Sequence, residues 1–180
     1  MLISGRYAGG MPPDLHEPGL HEPGLHEDVA ARLAGHDGRY TGSRRDLIQA
    51  LAEAGRPLTV DEIVERSARQ RPSSVYRNLA VFEAEGVVRR LAGVGDLARF
   101  ELTEALVGHH HHLACQVCGA MTDVQLPHDL ERRLDAALAA LAEAENFAVT
   151  SHVLDAVGEC AACADAARGT RPANDPSRDR

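Results

Sequence analysis

The sequence predicts an α+β fold in two units. Between Tyr40 and Leu102, helical spacing of apolar residues gives way to two strand-like segments, and past Gly108 the pattern is strand, turn, strand, helix, strand. The 180 residues suffice for two small domains, but only 3% of them are aromatic and Trp is absent. Small cores this poor in large side chains often need an additional cross-link, such as a bound metal ion, to be stable.

Two of the helices are indicated by their end signals. Ser43 is expected to cap the first helix, which Gly55 ends. Thr59 and Glu62 have the spacing of a capping box, in which each residue satisfies a backbone N–H of the other. This pair predicts where the second helix begins.

A third helix and a hairpin follow. Pro72 is expected in the first turn of that helix and Gly86 at its end. Val87 and Val88 lead into one strand, residues 93–96 form a turn, and residues 99–102 form the returning strand. Three helices followed by a hairpin is the pattern of a winged helix-turn-helix domain, whose second motif helix enters the DNA major groove.

The third helix carries polar side chains suited to phosphates and base edges, namely Ser74, Tyr76, Arg77 and Asn78. Arg89, Arg90 and Arg99 on the hairpin are expected to contact the DNA backbone. The charge distribution agrees, because residues 39–99 hold 11 of the 19 basic residues and 8 acidic ones, a local net charge of +3 in a chain of net charge −8.

The unit past Gly108 is too small to bury a core by itself. One face of its Ala-rich helix carries Leu130, Leu134, Leu138 and Leu141, and residues 147–154 are strand-like. At about 55 residues, it is expected to complete its core through a second copy of the chain and a metal.

The domain boundaries follow from these patterns. Residues 1–27 contain a repeated Leu-His-Glu-Pro-Gly, which predicts a disordered tail whose His16, His21 and His26 either bind metal loosely or are simply solvated. The winged-helix domain is expected at 28–103, the hinge at 104–108 and the dimerisation domain at 109–166. Residues 167–180 are expected to form a second disordered tail.

All four cysteines fall into two CxxC pairs, Cys115/Cys118 and Cys160/Cys163. Two such pairs supply the tetrahedral sulfur set that zinc prefers, which predicts a structural zinc site. A redox-active CxxC is the alternative, but that chemistry needs one pair on a thioredoxin-like unit, which is not seen. No apolar run reaches the roughly 18 to 20 residues of a membrane span, and no secretory signal is visible. A cytoplasmic location is therefore expected.

The run from His109 to His112 precedes the first cysteine pair and is expected to enter a strand. Successive side chains of a strand point to opposite faces, so His109 and His111 would lie on one side and His110 and His112 on the other. Each imidazole pair could anchor a different metal, and imidazole suits zinc, iron, nickel or copper.

In combination, these segments resemble the ferric uptake regulator family. The matching segments are Tyr40-Thr41-x-x-Arg44, Val75-Tyr76-Arg77-x-Leu79, Phe100-Glu101-Leu102, the histidine run with Cys115-x-x-Cys118-Gly119, Ser151-His152 and Cys160-x-x-Cys163. The resemblance implies a homodimeric repressor, not an enzyme, whose metal-loaded form binds a palindromic operator in double-stranded DNA. Tyr40 and Arg44 join the expected DNA-binding residues.

The resemblance also implies three metal sites. Structural Zn²⁺ would be held by Cys115, Cys118, Cys160 and Cys163. The regulatory metal at the hinge would be held by Glu101, His110 and His112. A further site in the dimerisation domain would consist of His109, His111, Glu131 and His152.

The regulatory metal is expected to be Fe²⁺ or Zn²⁺, with Mn²⁺ or Ni²⁺ as alternatives. Glu101 is similar to the iron- and peroxide-sensing branches, whereas the histidine run is similar to the zinc sensors. Those sensors typically have a cysteine near Thr103 and an acid near Arg89, and both are missing here.

One departure concerns the hinge. Much of the family has a histidine at the position of Pro57, and no histidine occurs between Asp37 and Gly108. The last ligand is therefore expected from Asp61, Glu62, His36 or water. Metal at this site is expected to fix the two DNA-binding heads at the spacing of two half-sites.

Two other classes of function would also use these histidines and cysteines. A metal buffer or chaperone that does not bind DNA would suit the histidines, but not the helix-and-hairpin unit. A zinc hydrolase with Glu101 as general base is disfavoured, because four paired cysteines make a closed site, whereas catalytic zinc keeps an open position.

Overall fold

The computed structural model describes residues 24–35, 39–67, 70–92 and 97–169. Its strands form two three-stranded sheets, of order β1-β3-β2 and β5-β4-β6, so the predicted α+β class is confirmed. None of the described helices is both long and apolar enough to cross a membrane. The elements are α1 (Leu25–Leu33), α2 (Gly42–Ala54), β1 (Leu58–Thr59), α3 (Val60–Arg66), α4 (Pro72–Ala84), β2 (Val88–Ala92), β3 (Ala98–Leu102), α5 (Glu104–Val107), β4 (His111–Cys115), β5 (Met121–Val124), α6 (His128–Ala144), β6 (Asp155–Gly158) and α7 (Ala161–Gly169).

The first four helices and the first sheet form the head (residues 25–102). The predicted capping box is confirmed at the start of α3, where Thr59 N donates to Glu62 Oε2 at 2.8 Å and Glu62 N donates to Thr59 Oγ1 at 3.3 Å. Pro72 opens α4 as predicted. The prediction for α2 was wrong by two residues, because Thr41 and not Ser43 accepts the capping hydrogen bond.

Helix α1 corrects the predicted extent of the N-terminal tail. Leu25, Val29 and Leu33 lie on one face of α1 and are buried in the core of the head. Residues 25–27 therefore belong to a packed helix rather than to a tail, whereas His16 and His21 lie outside the described residues. The apolar spacing of α1 begins at Leu25, inside the last copy of the repeat. The composition of the repeat therefore suggested a tail where a helix already begins.

The hairpin of the head pairs β2 with β3, from Val88 opposite Leu102 to Ala92 opposite Ala98. The predicted turn at residues 93–96 lies outside the described residues. Strand β1 adds a third antiparallel strand, with Leu58 opposite Phe100. This small sheet closes the core of Leu, Val and Ile side chains around Phe82, which is fully buried.

Two of the hairpin arginines point into the protein, contrary to the expectation that they contact DNA. Arg99 is only 7% exposed, and its Nη1 atom donates to the carbonyl of Pro57 and to Glu62. Arg89 binds the carboxylates of Glu101 and Glu104. Arg90, between them on the sheet, is exposed. Carboxylates and a carbonyl satisfy part of the donors of these two guanidiniums, which offsets the cost of burying them.

The C-terminal unit (residues 109–169) is built around β4, which pairs antiparallel with β5 and parallel with β6. The predicted strand at 147–154 was misplaced, since the strand is β6, Asp155–Gly158. Helix α7 continues to Gly169, so the predicted tail cannot begin at residue 167; residues 170–180 lie outside the described part. Several large apolar side chains of this unit are exposed, namely Leu113, Val117, Leu130, Leu141, Phe147, Val149, Val153 and Val157.

The segment predicted as a hinge, residues 104–108, contains helix α5. Leu106 and Val107 of α5 pack against the core of the head. Gly108 follows with a φ of 86°, in the region that favours glycine. Gly108 therefore separates α5, which packs with the head, from the histidine run.

Candidate metal centres and nucleic-acid interface

The four cysteines form the sulfur cluster (Cys115, Cys118, Cys160, Cys163), although more than forty residues separate the two pairs in the chain. Cys115 ends β4, and the backbone then turns through Gly119, whose N–H donates to the carbonyl of Cys115 at 2.9 Å. Parallel pairing places Gly158 of β6 opposite Cys115 and so delivers Cys160 and the first turn of α7 to the same point.

The spacing of the sulfurs matches a tetrahedral metal site. Cys115 Sγ lies 3.9 Å from Cys163 Sγ, and Cys118 Sγ lies 3.8 Å from Cys160 Sγ. Zinc–sulfur bonds of about 2.3 Å in a tetrahedron place the sulfurs about 3.8 Å apart. All four cysteines are free thiols, so the cluster is a set of ligands rather than two disulfides.

The ionisation of these thiols also points to a cation. Backbone hydrogen bonds from Cys118, Cys160 and Val117 lower the pKa of Cys115 to about 6. Hydrogen bonding to Cys160 and to the other neighbouring sulfurs raises the pKa of Cys163 to about 12. One thiolate therefore forms readily, but further thiolates repel it, and a divalent ion would relieve that repulsion.

The helix cluster (His109, His111, Glu131, His152) lies where α6 begins. Glu131 is in the first turn of α6, and its carboxylate faces three imidazole Nε2 atoms. The distances are 3.2 Å to His109, 3.0 Å to His111 and 3.0 Å to His152. The candidate ligand atoms all lie within 4.8 Å of one another.

The opposite ring nitrogens of two of these histidines face carboxylates. His109 Nδ1 lies 2.8 Å from Glu104 Oε2, and His152 Nδ1 lies 3.5 Å from Asp135 Oδ1. Metal-binding histidines commonly donate their remaining N–H to a carboxylate or carbonyl, which fixes the tautomer and directs the other nitrogen toward the ion. The helix cluster therefore fits a divalent metal.

The hinge cluster (Glu101, His110, His112, Asp123) joins the two units of the chain. Glu101 comes from β3 of the head, whereas the other three residues come from the C-terminal unit. Glu101 Oε2 lies 2.9 Å from His112 Nε2 and 3.5 Å from His110 Nε2. His112 Nδ1 lies 3.0 Å from Asp155 Oδ1, and His110 Nδ1 lies 3.0 Å from the carbonyl of Gly108. Here too, each imidazole turns Nε2 toward the shared centre.

Burial and proximity shift the pKa values of the hinge cluster. Hydrogen bonding to Glu101 raises the pKa of His110 to about 9. Burial raises the pKa of Asp123 to about 6. Burial would also raise the pKa of Glu101, but hydrogen bonds from His110, His112 and Arg89 lower it to about 2. The carboxylates of the hinge cluster thus concentrate negative charge. Bound protons balance this charge, and a metal ion could balance it in their place.

Asp123 is a member of this cluster that the sequence reasoning missed. It lies opposite His112 in the pairing of β4 with β5, and its buried Oδ1 atom has no hydrogen-bond partner among the described residues. Among the ligands expected instead, Asp61 is exposed on α3 and Glu62 binds Arg56, Arg99 and Thr59. His36 lies outside the described residues. The turn at the first cysteine pair makes β4 and β5 a hairpin. Pairing residues outward from that turn would have placed Asp123 opposite His112.

The predicted DNA-binding side chains lie at the start of α2 and along α4. Tyr76 and Arg77 are exposed, and Asn78 accepts a hydrogen bond from Arg44 Nε at 3.1 Å. A concavity of about 530 Å³ separates the two helix starts and is lined by Ser43, Arg44, Gln70, Arg71, Ser74, Arg77, Asn78 and Val81. Its three arginines make it a basic surface next to two helix N-termini, which suits a phosphate backbone.

Tyr40 is held differently from the other predicted DNA contacts. Its hydroxyl lies 2.5 Å from His26 Nδ1, and the guanidinium of Arg45 lies 5.0 Å from the centre of its ring. Burial raises the pKa of Tyr40 to about 12. Its phenol therefore stays protonated and joins α1 to α2.

The model of the ferric uptake regulator family matches residues 36–157. The peroxide-responsive repressor PerR of Staphylococcus aureus is 30% identical over 133 residues, which cover 71% of this chain and 83% of that protein.

Solved structures support the fold. The ferric uptake regulator of Helicobacter pylori, which has three functional metal-binding sites, aligns with a TM-score of 0.61 at 22% identity over 78% of this chain and 91% of its own. The ferric uptake regulator of Vibrio cholerae aligns with a TM-score of 0.57 at 24% identity over 73% of this chain and 98% of its own. The fold is therefore that of these regulators.

Proposed function

Because this chain belongs to the ferric uptake regulator family, we propose that it is a metal-responsive transcriptional repressor that binds DNA as a homodimer. It acts as a regulator rather than an enzyme, and it works in the cytoplasm, where its operator DNA is. The domain roles are a DNA-binding head, a pivot at Gly108 and a dimerisation unit.

The observation that carries the proposal is the composition of the hinge cluster. Glu101 belongs to the head, while His110, His112 and Asp123 belong to the C-terminal unit, so one divalent cation held by all four would fix the two units relative to each other. The cation would supply charge that offsets Glu101 and Asp123. Without it, the head is free to move about Gly108, and fewer molecules hold the DNA-binding arrangement.

The head supplies the DNA contacts. Helix α4 is the recognition helix, with Tyr76 and Arg77 directed outward and Ser74 and Asn78 beside the basic concavity. Arg44 braces Asn78 and contacts phosphate, whereas Tyr40 supports the position of α2. A twofold dimer would read a palindromic operator, because each head meets one half-site.

The exposed apolar residues of the C-terminal unit support dimerisation. Leu141, Phe147 and Val157 are each more than 60% exposed. Exposed large apolar side chains in this number are typical of an interface, and a second copy of the chain is the occupant that the family implies. As a structural zinc site, the sulfur cluster would hold β4 and α7 of this unit together.

The metal assignments follow from ligand chemistry. Four thiolates suit Zn²⁺, whereas the imidazole and carboxylate ligands of the hinge and helix clusters suit Fe²⁺ or Zn²⁺, with Mn²⁺ and Ni²⁺ as alternatives. The described part of the chain holds three such clusters, the same number as the functional metal sites of the Helicobacter pylori regulator.

The test uses an operator selected by the metal-loaded protein from a pool of random duplexes. Affinity for this duplex is measured for the wild type and for His110→Ala/His112→Ala, with Fe²⁺, Zn²⁺, Mn²⁺ or Ni²⁺ and with chelator. We expect metal to strengthen binding by the wild type at least tenfold and to have little effect on the variant. Equal, metal-independent binding by both proteins would reject the proposal.

A further inference from the structure

Two charged side chains, Arg89 and Glu104, lie between the hinge cluster and the helix cluster. Arg89 Nε donates to Glu101 Oε1, and Arg89 Nη1 donates to Glu104 Oε1 at 3.2 Å. The second oxygen of Glu104 lies 2.8 Å from His109 Nδ1. His109 Nε2 in turn lies 3.2 Å from Glu131 Oε1. A continuous series of polar contacts thus joins a residue of one cluster to a residue of the other.

Each carboxylate in this series uses its two oxygens for different partners. Glu101 gives Oε1 to Arg89 and keeps Oε2 for His110 and His112. Glu104 gives Oε1 to Arg89 and Oε2 to His109. The side chains of Arg89 and Glu104 are each 24% exposed, so water screens their charge-assisted bonds only in part.

The series also crosses between the two units. Arg89 is on β2 and Glu104 is in the first turn of α5, both packed with the head, whereas His109 begins the C-terminal unit. The contact is therefore a second connection across Gly108, beside the one made by the hinge cluster itself.

We propose that Arg89 and Glu104 couple the two clusters, so that a metal ion in the helix cluster strengthens metal binding in the hinge cluster, and the reverse. This inference rests on the proposed function, because it assumes that both clusters hold metal. If His109 contributes Nε2 as a ligand, its proton must sit on Nδ1, where it is donated to Glu104. Glu104 is then fixed against Arg89, and Arg89 holds Glu101 with Oε2 directed at the hinge imidazoles.

The expected coupling is positive and reciprocal. A coupling of about fivefold or more in affinity is typical of linked sites. Two bound dications would repel each other, and the carboxylate of Glu104 between the clusters reduces that repulsion.

The experiment measures this coupling in the full chain with zinc loaded in the sulfur cluster and Co²⁺ as the probe. The visible Co²⁺ absorption that disappears in His112→Ala reports the hinge cluster. Its affinity is measured with the helix cluster intact and with His152→Ala, which removes a residue of the helix cluster alone. The ratio of the two affinities is the coupling factor.

The same pair of titrations is repeated in three further backgrounds. Glu104→Gln removes the charge that binds Arg89 and His109 and leaves Glu101 unchanged. Arg89→Gln removes the guanidinium that binds both Glu101 and Glu104. Arg90→Gln is the matched control, because Arg90 is an exposed residue of the same strand. We expect a coupling factor of about five or more in the wild type and in Arg90→Gln, and a factor near one in the other two.

Two results would overturn the coupling. If both clusters bind Co²⁺ but the factor is the same in all four backgrounds, the link is wrong while the proposed function stands. If neither cluster of the wild type binds Co²⁺, Zn²⁺ or Fe²⁺, the proposed function fails as well.

Discussion

Glu101 Oε2 and His112 Nε2 are 2.9 Å apart, although Glu101 lies in the last strand of the head and His112 lies in the first strand of the C-terminal unit. Both side chains are almost completely buried, at 4% and 0% exposure. A charged carboxylate is rarely buried without compensation, so the pair and its neighbours form a site in which charge must be balanced by protons, by Arg89 or by a metal ion.

The first prediction concerns metal affinity and pH. The pKa of His110 is raised to about 9, so its imidazole carries a proton at neutral pH that a metal must displace, and the pKa of His112 is raised in the same direction by its contacts with Glu101 and Asp155. Affinity at the hinge cluster should therefore increase from pH 6 to about 9, by up to roughly tenfold per pH unit for each proton released. Calorimetry in buffers of different ionisation enthalpy counts those protons. His110→Gln should give a shallower dependence, and a flat profile in the wild type would contradict the assignment.

A second prediction concerns the sulfur cluster. Cys118→Ser should reduce the bound zinc from roughly one ion per chain to almost none, because a hydroxyl is a poor replacement for a thiolate ligand. The loss should also lower the melting temperature of the C-terminal unit, since the ion joins β4 to α7. Val117→Ser, at the exposed position next to Cys118, is the control and should keep both zinc and stability. Unchanged zinc content in Cys118→Ser would refute a four-sulfur site.

Recognition of DNA gives a third prediction. Arg77→Ala should weaken binding to the selected operator by about 1–3 kcal/mol, or roughly 5- to 150-fold, because an exposed guanidinium on α4 is lost. Metal content and melting temperature should not change, since Arg77 is exposed and bonds only to the Ser73 carbonyl among the contacts described. Arg133→Ala, on the exposed surface of α6, serves as the matched arginine control. Equal affinities of the two variants would show that α4 does not face the DNA.

The fourth prediction concerns the oligomeric state. Leu141→Glu should convert the proposed dimer to a monomer, because it places a charge among the exposed apolar side chains of the C-terminal unit. Sedimentation velocity at several protein concentrations measures the change. Leu97→Glu is a suitable control, because Leu97 is similarly exposed, at 60% against 63%, but belongs to the head. If both variants remain dimeric, the interface lies elsewhere.

Local chemistry explains what the sequence could predict. The capping box of Thr59 and Glu62, the proline that opens α4 and the glycine after it depend on neighbouring residues only, so their positions are visible in the sequence. The expected separation of His109 and His111 from His110 and His112 is also seen in the clusters, although β4 begins only at His111 and strand alternation therefore accounts for His111 and His112 alone.

Long-range packing explains what it could not. Arg99 resembles a surface arginine until Glu62, 37 residues earlier in the chain, is brought next to it. Asp123 becomes a candidate ligand only once β4 and β5 pair. Strand β6 begins at Asp155 and not near Phe147 because its partner β4 fixes where pairing starts, and no local pattern carries that information.

The histidine run also constrains how this chain can change during evolution. His111 and His112 reach their clusters by facing opposite sides of β4, and a single residue inserted between His112 and Leu113 would turn both of them around. Imidazoles from the two clusters would exchange places while every ligand remained present in the sequence. A substitution of one histidine affects one cluster, whereas an insertion or deletion in the run would disrupt the hinge cluster and the helix cluster together.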